Sequence, residues 1–228
     1  MPPPQPSALA LSVLGLAWLA YFAAHSVLAS LALKGWVERR WPSLVPAYRL
    51  FFNAAAVLLL IPVLGLMYAL HGPWLWAWEG PWALAAAGLN VLALGGFLWS
   101  LRWYDGSEFL GLRQWRTRQR SVLDQERFHI SPLHRYVRHP WYSLGLVLVW
   151  ARDMDAAQLL SAVLITGYFV IGSRLEERKL VLYHGPVYAR YRERVPSLVP
   201  LPWRTLSRTE AERLGQQAAS DRSGPDRL

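Results

Sequence analysis

Two short runs carry the residue types that could do chemistry. HRYVRHPWY, from His134 to Tyr142, sets Arg138 and His139 directly before Pro140, and RLEERKLVLYHGPVYARYRERVPSLVP, from Arg174 to Pro200, carries the carboxylate pair Glu176 and Glu177. Cations, carboxylates and the rings of Tyr136, Tyr142, Tyr188 and Tyr191 suit a polar ligand held in a partly dry cavity at a membrane surface. Each run also has a plain reading. Arg-His before an apolar segment serves as an interfacial anchor, and Glu-Glu-Arg-Lys serves as a solvated helix face with i,i+4 pairs.

The segments between and before these runs decide whether they can meet. WYSLGLVLVWA from Trp141 is short for a full crossing of about 30 Å of hydrocarbon, and AAQLLSAVLITGYFVIG from Ala156 is barely long enough. The link RDMD is tight, so the two read as a short helical hairpin with Arg152, Asp153 and Asp155 at its polar tip. A hairpin folded on itself brings its ends together and places Arg138 and His139 opposite Glu176 and Glu177. Such a set matches a ligand with a carboxylate, an ammonium, hydroxyls and a sulfonium, as in S-adenosylmethionine. Arg138 and His139 would donate to the carboxylate, a glutamate would accept from the ammonium or ribose, and tyrosine faces would lie beside the sulfonium. Pro140 fits a first helical turn, whose free amides can face an anion.

Three further apolar runs precede the hairpin: Leu9 to Leu33, Phe51 to Leu70 and Pro81 to Leu101, with tryptophans near the ends of the later two as in an interfacial belt. The stretch before the first run lacks the basic n-region of a signal peptide, and the run is long for an h-region, so it reads as a retained span. The expected fold is an all-α integral membrane protein of about five transmembrane helices with cytoplasmic cofactor-binding segments. Residues 1–203 form one domain with its motif region at 132–200, and 204–228 a polar tail that is frayed, disordered or briefly helical.

Charge placement tests this independently of hydropathy. The 24 lysines and arginines fall as four, none, eight, one and eleven across successive loops and the tail. Alternate loops thus hold 23 against 1, which places the N-terminus outside and the C-terminus in the cytoplasm of an inner or plasma membrane. The net charge of +9 belongs to membrane-flanking loops with no nucleic-acid module among them. The chain contains no cysteine, which excludes disulfides, thiolate metal sites and a cysteine nucleophile. Six histidines without HxxxH or HxxH spacing give no metal site.

Taken together, the basic-His-Pro-x-Tyr motif, an apolar hairpin, Glu-Glu, GxxYxxY and VPSLVP closely resemble the isoprenylcysteine carboxyl methyltransferase-like superfamily of integral membrane methyltransferases. AAHSVLAS, YRLFFN and EFLGLRQW look like its branch holding NnrU-type proteins and methanethiol S-methyltransferase. The resemblance implies S-adenosylmethionine as cofactor. It implies a pocket lined by Tyr136, Arg138, His139, Pro140, Tyr142, Glu176 and Glu177, with Arg138, His139 and Glu177 in catalysis and Tyr188 and Tyr191 closing it. The acceptor would be a small thiol or an isoprenoid or lipid-like molecule entering from the bilayer. Several positions depart from the family pattern: Leu144 stands where glycine is usual and Gly145 follows one place on, Pro132 and His134 stand where Gly and Tyr are common, and His184 replaces a Phe. Two other readings share the fold: an NAD(P)H-dependent membrane reductase and a non-catalytic NnrU-like protein.

Outside the two runs, His25 with Ser26 in the first span suits either an acceptor site or an interhelical hydrogen bond. Arg49 suits an acceptor anion or an interfacial anchor. Asn53 and Asn90 read as helix glue, and GLRQWRTRQRS as an interfacial basic helix on lipid head groups. The oligomeric state is not legible.

Overall fold

The computed structural model describes residues 4–121 and 128–222. The protein is an all-helical integral membrane protein, with no β-strand among the described residues. In chain order the helices are α1 (Ala8–Ala29), α2 (Leu31–Arg40), α3 (Tyr48–Ala69), α4 (Gly80–Ser100), α5 (Gly106–Leu110), α6 (Leu112–Arg116), α7 (Pro140–Trp150), α8 (Ala156–Arg194) and α9 (Arg208–Arg222). Among them α1, α3, α4 and α8 are long and apolar enough to cross a membrane, while α7 is apolar and shorter. Leu9, Leu16, Leu58, Leu84 and Leu92 are exposed on these helices, as expected where lipid rather than protein covers the apolar face.

One compact unit comprises Met1–Ala86, Tyr104–Gln125 and Arg152–Ile165. Ser7 caps α1 through the Ala10 amide. Ser30 ends α1 and starts α2, accepting from the Leu33 amide at 3.2 Å while donating to Val27 O at 2.7 Å. α1 is tied to α3 by the Tyr48 hydroxyl, which donates to Leu28 O at 2.6 Å, and to the start of α8 by the Trp18 indole on Ser161 at 2.8 Å. The residues expected at a polar hairpin tip are otherwise used. Asp155 is fully buried, accepts from His71 Nδ1 at 2.6 Å, and exchanges hydrogen bonds with Gln158 as the N-cap of α8. Asp153 accepts from the Trp78 amide, and the Arg152 guanidinium lies 5.9 Å from the Tyr68 ring centre.

The second unit comprises Ala87–Trp103, Glu126–Ala151 and Thr166–Leu228. Here Asn90 donates to Ala151 O, the Trp141 indole donates to Ser100 at 2.8 Å, and the Trp150 indole donates to Thr166 at 2.9 Å. Leu144 packs against Gly96, where a Cβ would stand 3.2 Å from its Cδ2. The second arm of the hairpin is not short. α8 continues through the Glu pair because no proline interrupts it before Pro186, which together with Gly185 at φ 55° kinks it.

In the tail, Arg208–Arg222 form the helix α9. Leu206 and Ala211 are buried in a cluster with Tyr188, Tyr191 and Val195, and α9 starts on a reciprocal box. The Glu210 amide donates to Ser207 Oγ at 3.2 Å and the Ser207 amide to Glu210 Oε2 at 2.8 Å. A few apolar residues on one face of a capped helix suffice to dock it. The expectation for residues 223–228 lies outside the described residues. The basic GLRQWRTRQRS run is helical only over Leu112–Arg116.

Candidate active site

The site is built from three pieces of the second unit: the approach to α7, the polar half of α8 beyond its apolar stretch, and the extended segment after α8. Pro140 occupies the first turn of α7 with His139 as its N-cap. The segment Val195–Leu198 runs beside this approach. The Arg138 amide donates to Pro196 O at 2.8 Å, the His139 amide to Ser197 O at 3.1 Å, and Ser143 Oγ to Leu198 O at 2.6 Å. The VPSLVP run is thus a backbone template that fixes where Arg138 and His139 point.

Arg138 and His139 meet the Glu pair of α8. Glu177 Oε1 lies 2.7 Å from an Arg138 terminal nitrogen and 3.1 Å from His139 Nε2, and Ser197 Oγ donates to the same oxygen at 3.1 Å. The remaining Arg138 donors reach Arg192 O at 2.9 Å and Val195 O. The guanidinium therefore acts as a buried strut joining α7, α8 and the segment beyond it. Both side chains of the Arg138–Glu177 pair are only 9% exposed, where an ion pair repays its desolvation only with good geometry and further hydrogen bonds.

Glu176 stands differently. Its side chain is 47% exposed, with Oε2 3.5 Å from His139 Nδ1 and 3.2 Å from the Tyr142 hydroxyl, which donates to it. Tyr142 lies between two parallel rings, His139 at 5.4 Å and Phe169 at 4.7 Å between centroids. Gly145 makes room for this stack, since a Cβ there would stand 3.1 Å from Phe169 Cε2. The glycine displaced by one position therefore faces Phe169.

Burial alone would push the His139 imidazole down, but hydrogen bonds and charge from Glu176 and Glu177 outweigh it and raise its pKa. Burial would likewise push the Glu177 carboxyl up, yet His139 and Arg138 hold it well below the usual carboxylate range. His134 is pushed down to about 4, first by burial and then by His139 and His129. Its Nδ1 sits 2.7 Å from Ser131 Oγ and its carbonyl accepts from Tyr191 at 2.7 Å.

The other expected residues divide. Tyr188 is 2% exposed, and its buried hydroxyl has no hydrogen-bond partner among the described residues. Tyr191 belongs to the packed aromatic cluster with Phe128. Tyr136 is exposed, with the Arg135 guanidinium over its ring. In the other unit, Arg49 donates to Phe109 O at 3.1 Å, and Asn53 donates to Phe109 O and Leu110 O. Arg49 thus binds the EFLGLRQW segment, where Gly111 at φ 91° brings its backbone against Leu50. His25 packs on Phe52 at 5.1 Å. Sequence reasoning missed Ser197 and Phe169. The first was visible as a hydroxyl between the prolines of VPSLVP; the second lay inside an apolar run with nothing to distinguish it. Among the described residues no cluster of His, Asp or Glu has the makings of a metal site.

Over 190 residues the chain is 34% identical to a methanethiol S-methyltransferase of a Pseudomonas species, covering 79% of this chain and 69% of that protein. It is 32% identical over 212 residues to the methanethiol S-methyltransferase of Mycobacterium tuberculosis, covering 84% and 79%. A third relative, methanethiol S-methyltransferase 2 of Bradyrhizobium diazoefficiens, is 31% identical over 186 residues, covering 77% and 68%. No family model and no solved structure matches the chain.

Proposed function

The chain belongs to the methanethiol S-methyltransferase family, within the isoprenylcysteine carboxyl methyltransferase-like membrane methyltransferases, and we propose on that premise that it methylates a small thiol at the Glu176–His139–Glu177–Arg138 cluster. The observation that carries the assignment to this cluster is its division of labour. Glu177 is spent inside a buried frame, whereas Glu176 ends the same network half exposed.

Two features support S-adenosylmethionine as the methyl donor at these residues. Glu176 keeps acceptor capacity for an ammonium or a ribose hydroxyl, and the buried Tyr188 hydroxyl has no hydrogen-bond partner among the described residues, so that it can donate to a carboxylate. When bound, this cofactor supplies a methyl carbon on a positively charged sulfur. Tyr142 contributes its hydroxyl, both ring faces being stacked. Arg138 supports the site through Glu177, since its donors are already engaged. Orientation of an acceptor sulfur against the methyl carbon lowers the barrier through effective molarity, by on the order of 7 kcal/mol or more for well-aligned groups.

The acceptor is small and apolar and reaches the site from the bilayer. The N-terminus lies outside and the C-terminus, with the cluster, on the cytoplasmic side, because 23 of the 24 lysines and arginines lie in alternate loops.

Membranes containing the protein, incubated with methyl-labelled S-adenosylmethionine and methanethiol, should release a volatile labelled thioether, and Glu176→Gln should abolish it. Label appearing in lipid or protein fractions, or in no product at all, would overturn this reading.

A further inference from the structure

Methylating a neutral thiol to a neutral thioether releases one proton, so the site needs a group to take it. We propose that His139 is that base, accepting the proton of the thiol on Nδ1 while Glu177 holds the ring; the proposal rests on the thiol-methylation reading above.

The geometry fixes the roles of the two ring nitrogens. A carboxylate only accepts, so Nε2, 3.1 Å from Glu177 Oε1, carries a hydrogen in every state that keeps this bond. Glu177 cannot turn away, because Arg138 and Ser197 hold the same oxygen. Nδ1 faces Glu176 Oε2 at 3.5 Å; since a carboxylate only accepts, that bond exists only while Nδ1 carries a proton, and in the neutral ring the Nδ1 lone pair is open. The ring is 5% exposed, and its Nδ1 lies beside the 47% exposed Glu176 side chain. A ligand that reaches Glu176 reaches Nδ1. The imidazole is clamped by a carboxylate on one nitrogen and open on the other, the arrangement that orients a histidine for proton transfer.

The step balances. The S–H bond breaks with its electron pair left on sulfur, and the proton joins Nδ1 to give an imidazolium with both nitrogens protonated. The new cation sits between Glu176 and Glu177. The thiolate then takes the methyl group, and the proton leaves through Glu176 to water, restoring the neutral ring. The charged and titratable groups facing His139 are Glu176 and Glu177 on α8 and His134, Arg138 and Tyr142 on its own segment. The two carboxylates raise the imidazole pKa, which brings the base nearer to a thiol, about 8.5 for cysteine.

Two acceptors separate the base from the rest of the reaction: ethanethiol, protonated at neutral pH, and 4-nitrothiophenol, already ionised. His139→Gln should lose about a hundredfold or more in kcat/KM with ethanethiol and less than about tenfold with 4-nitrothiophenol. The unaltered protein gives a second measure that no folding defect can mimic. Its kcat/KM should climb with pH on ethanethiol only until the imidazole is deprotonated, level off well before the thiol itself ionises, and stay flat over the same range on the arylthiol. Equal losses on both thiols, or an ethanethiol profile that keeps rising with the thiol's own ionisation, would overturn the base. Failure of the unaltered protein to methylate either thiol would instead overturn the thiol-methylation reading itself.

Discussion

Gly145 of α7 and Phe169 of α8 fit each other as space and ring: a Cβ on the glycine would come within 3.1 Å of Phe169 Cε2. Phe169 in turn stacks on Tyr142, and Tyr142 on His139, so a packing contact in the membrane sets the position of a ring at the site. Gly145→Ala should cost about 1–3 kcal/mol by overpacking and lower turnover through Tyr142. Phe169→Leu in the same chain should recover part of both losses, measured as a double-mutant cycle on thermal unfolding and activity. Strictly additive effects would count against the coupling.

The two glutamates should separate by assay. Glu177→Gln leaves a buried guanidinium short of its counter-charge and should cost about 3–5 kcal/mol, seen as a lowered melting temperature in detergent. Glu176→Gln, at a half-exposed position, should leave stability within about 0.5 kcal/mol while abolishing methyl transfer. Comparable destabilisation by both would remove the distinction between frame and ligand group.

Stability should fall on both sides of neutrality, each limb belonging to a different histidine. His139 has a raised folded pKa, so its contribution is complete below the unfolded value of 6.5 and disappears as pH rises through the folded one. His134 has a depressed one, so stability is lost as pH falls from 6.5 toward about 4, while the buried ring stays neutral and the unfolded chain takes up a proton. The lowered Glu177 carboxyl contributes above its ordinary 4.5 and is lost only at stronger acid, near 2. Melting temperatures against pH for His139→Gln should lack the alkaline fall, and those for His134→Gln the mild-acid fall. A curve unchanged in both variants would refute the assignment.

Ser207→Ala removes one half of the box that starts α9 and should cost about 1 kcal/mol. Because Leu206 and Ala211 pack with Tyr188 and Tyr191, amide exchange should quicken at residues 188–195 as well as in α9. Faster exchange confined to α9 would show that the helix is not coupled to the tyrosines.

The apolar runs and the meeting of Arg138 and His139 with the Glu pair were legible in the sequence, because span length, charge placement and a tight RDMD link constrain them strongly. The all-helical membrane fold followed from the same features. What escaped depended on which partner a residue finds. Arg49 looked like a ligand or an anchor, yet its Nε goes to the Phe109 carbonyl sixty residues away in sequence. Asp155 looked like part of a polar hairpin tip, yet it is buried and paired with His71. α9 stood among several outcomes for a different reason. The pattern Ser207-x-x-Glu210 is a capping box that can be read directly, but the polar composition around it suggested a frayed tail.

The segment Val195–Leu198, which templates Arg138 and His139 and lends Ser197 to Glu177, follows every membrane-crossing helix in the chain. During synthesis all the apolar helices therefore emerge before the site can close. A chain broken off before Val195 would keep the apolar helices but leave Arg138 without its Val195 carbonyl and Glu177 without its Ser197 hydroxyl. The order of the elements thus places the apolar helices ahead of the segment that completes the Arg138–Glu177 frame.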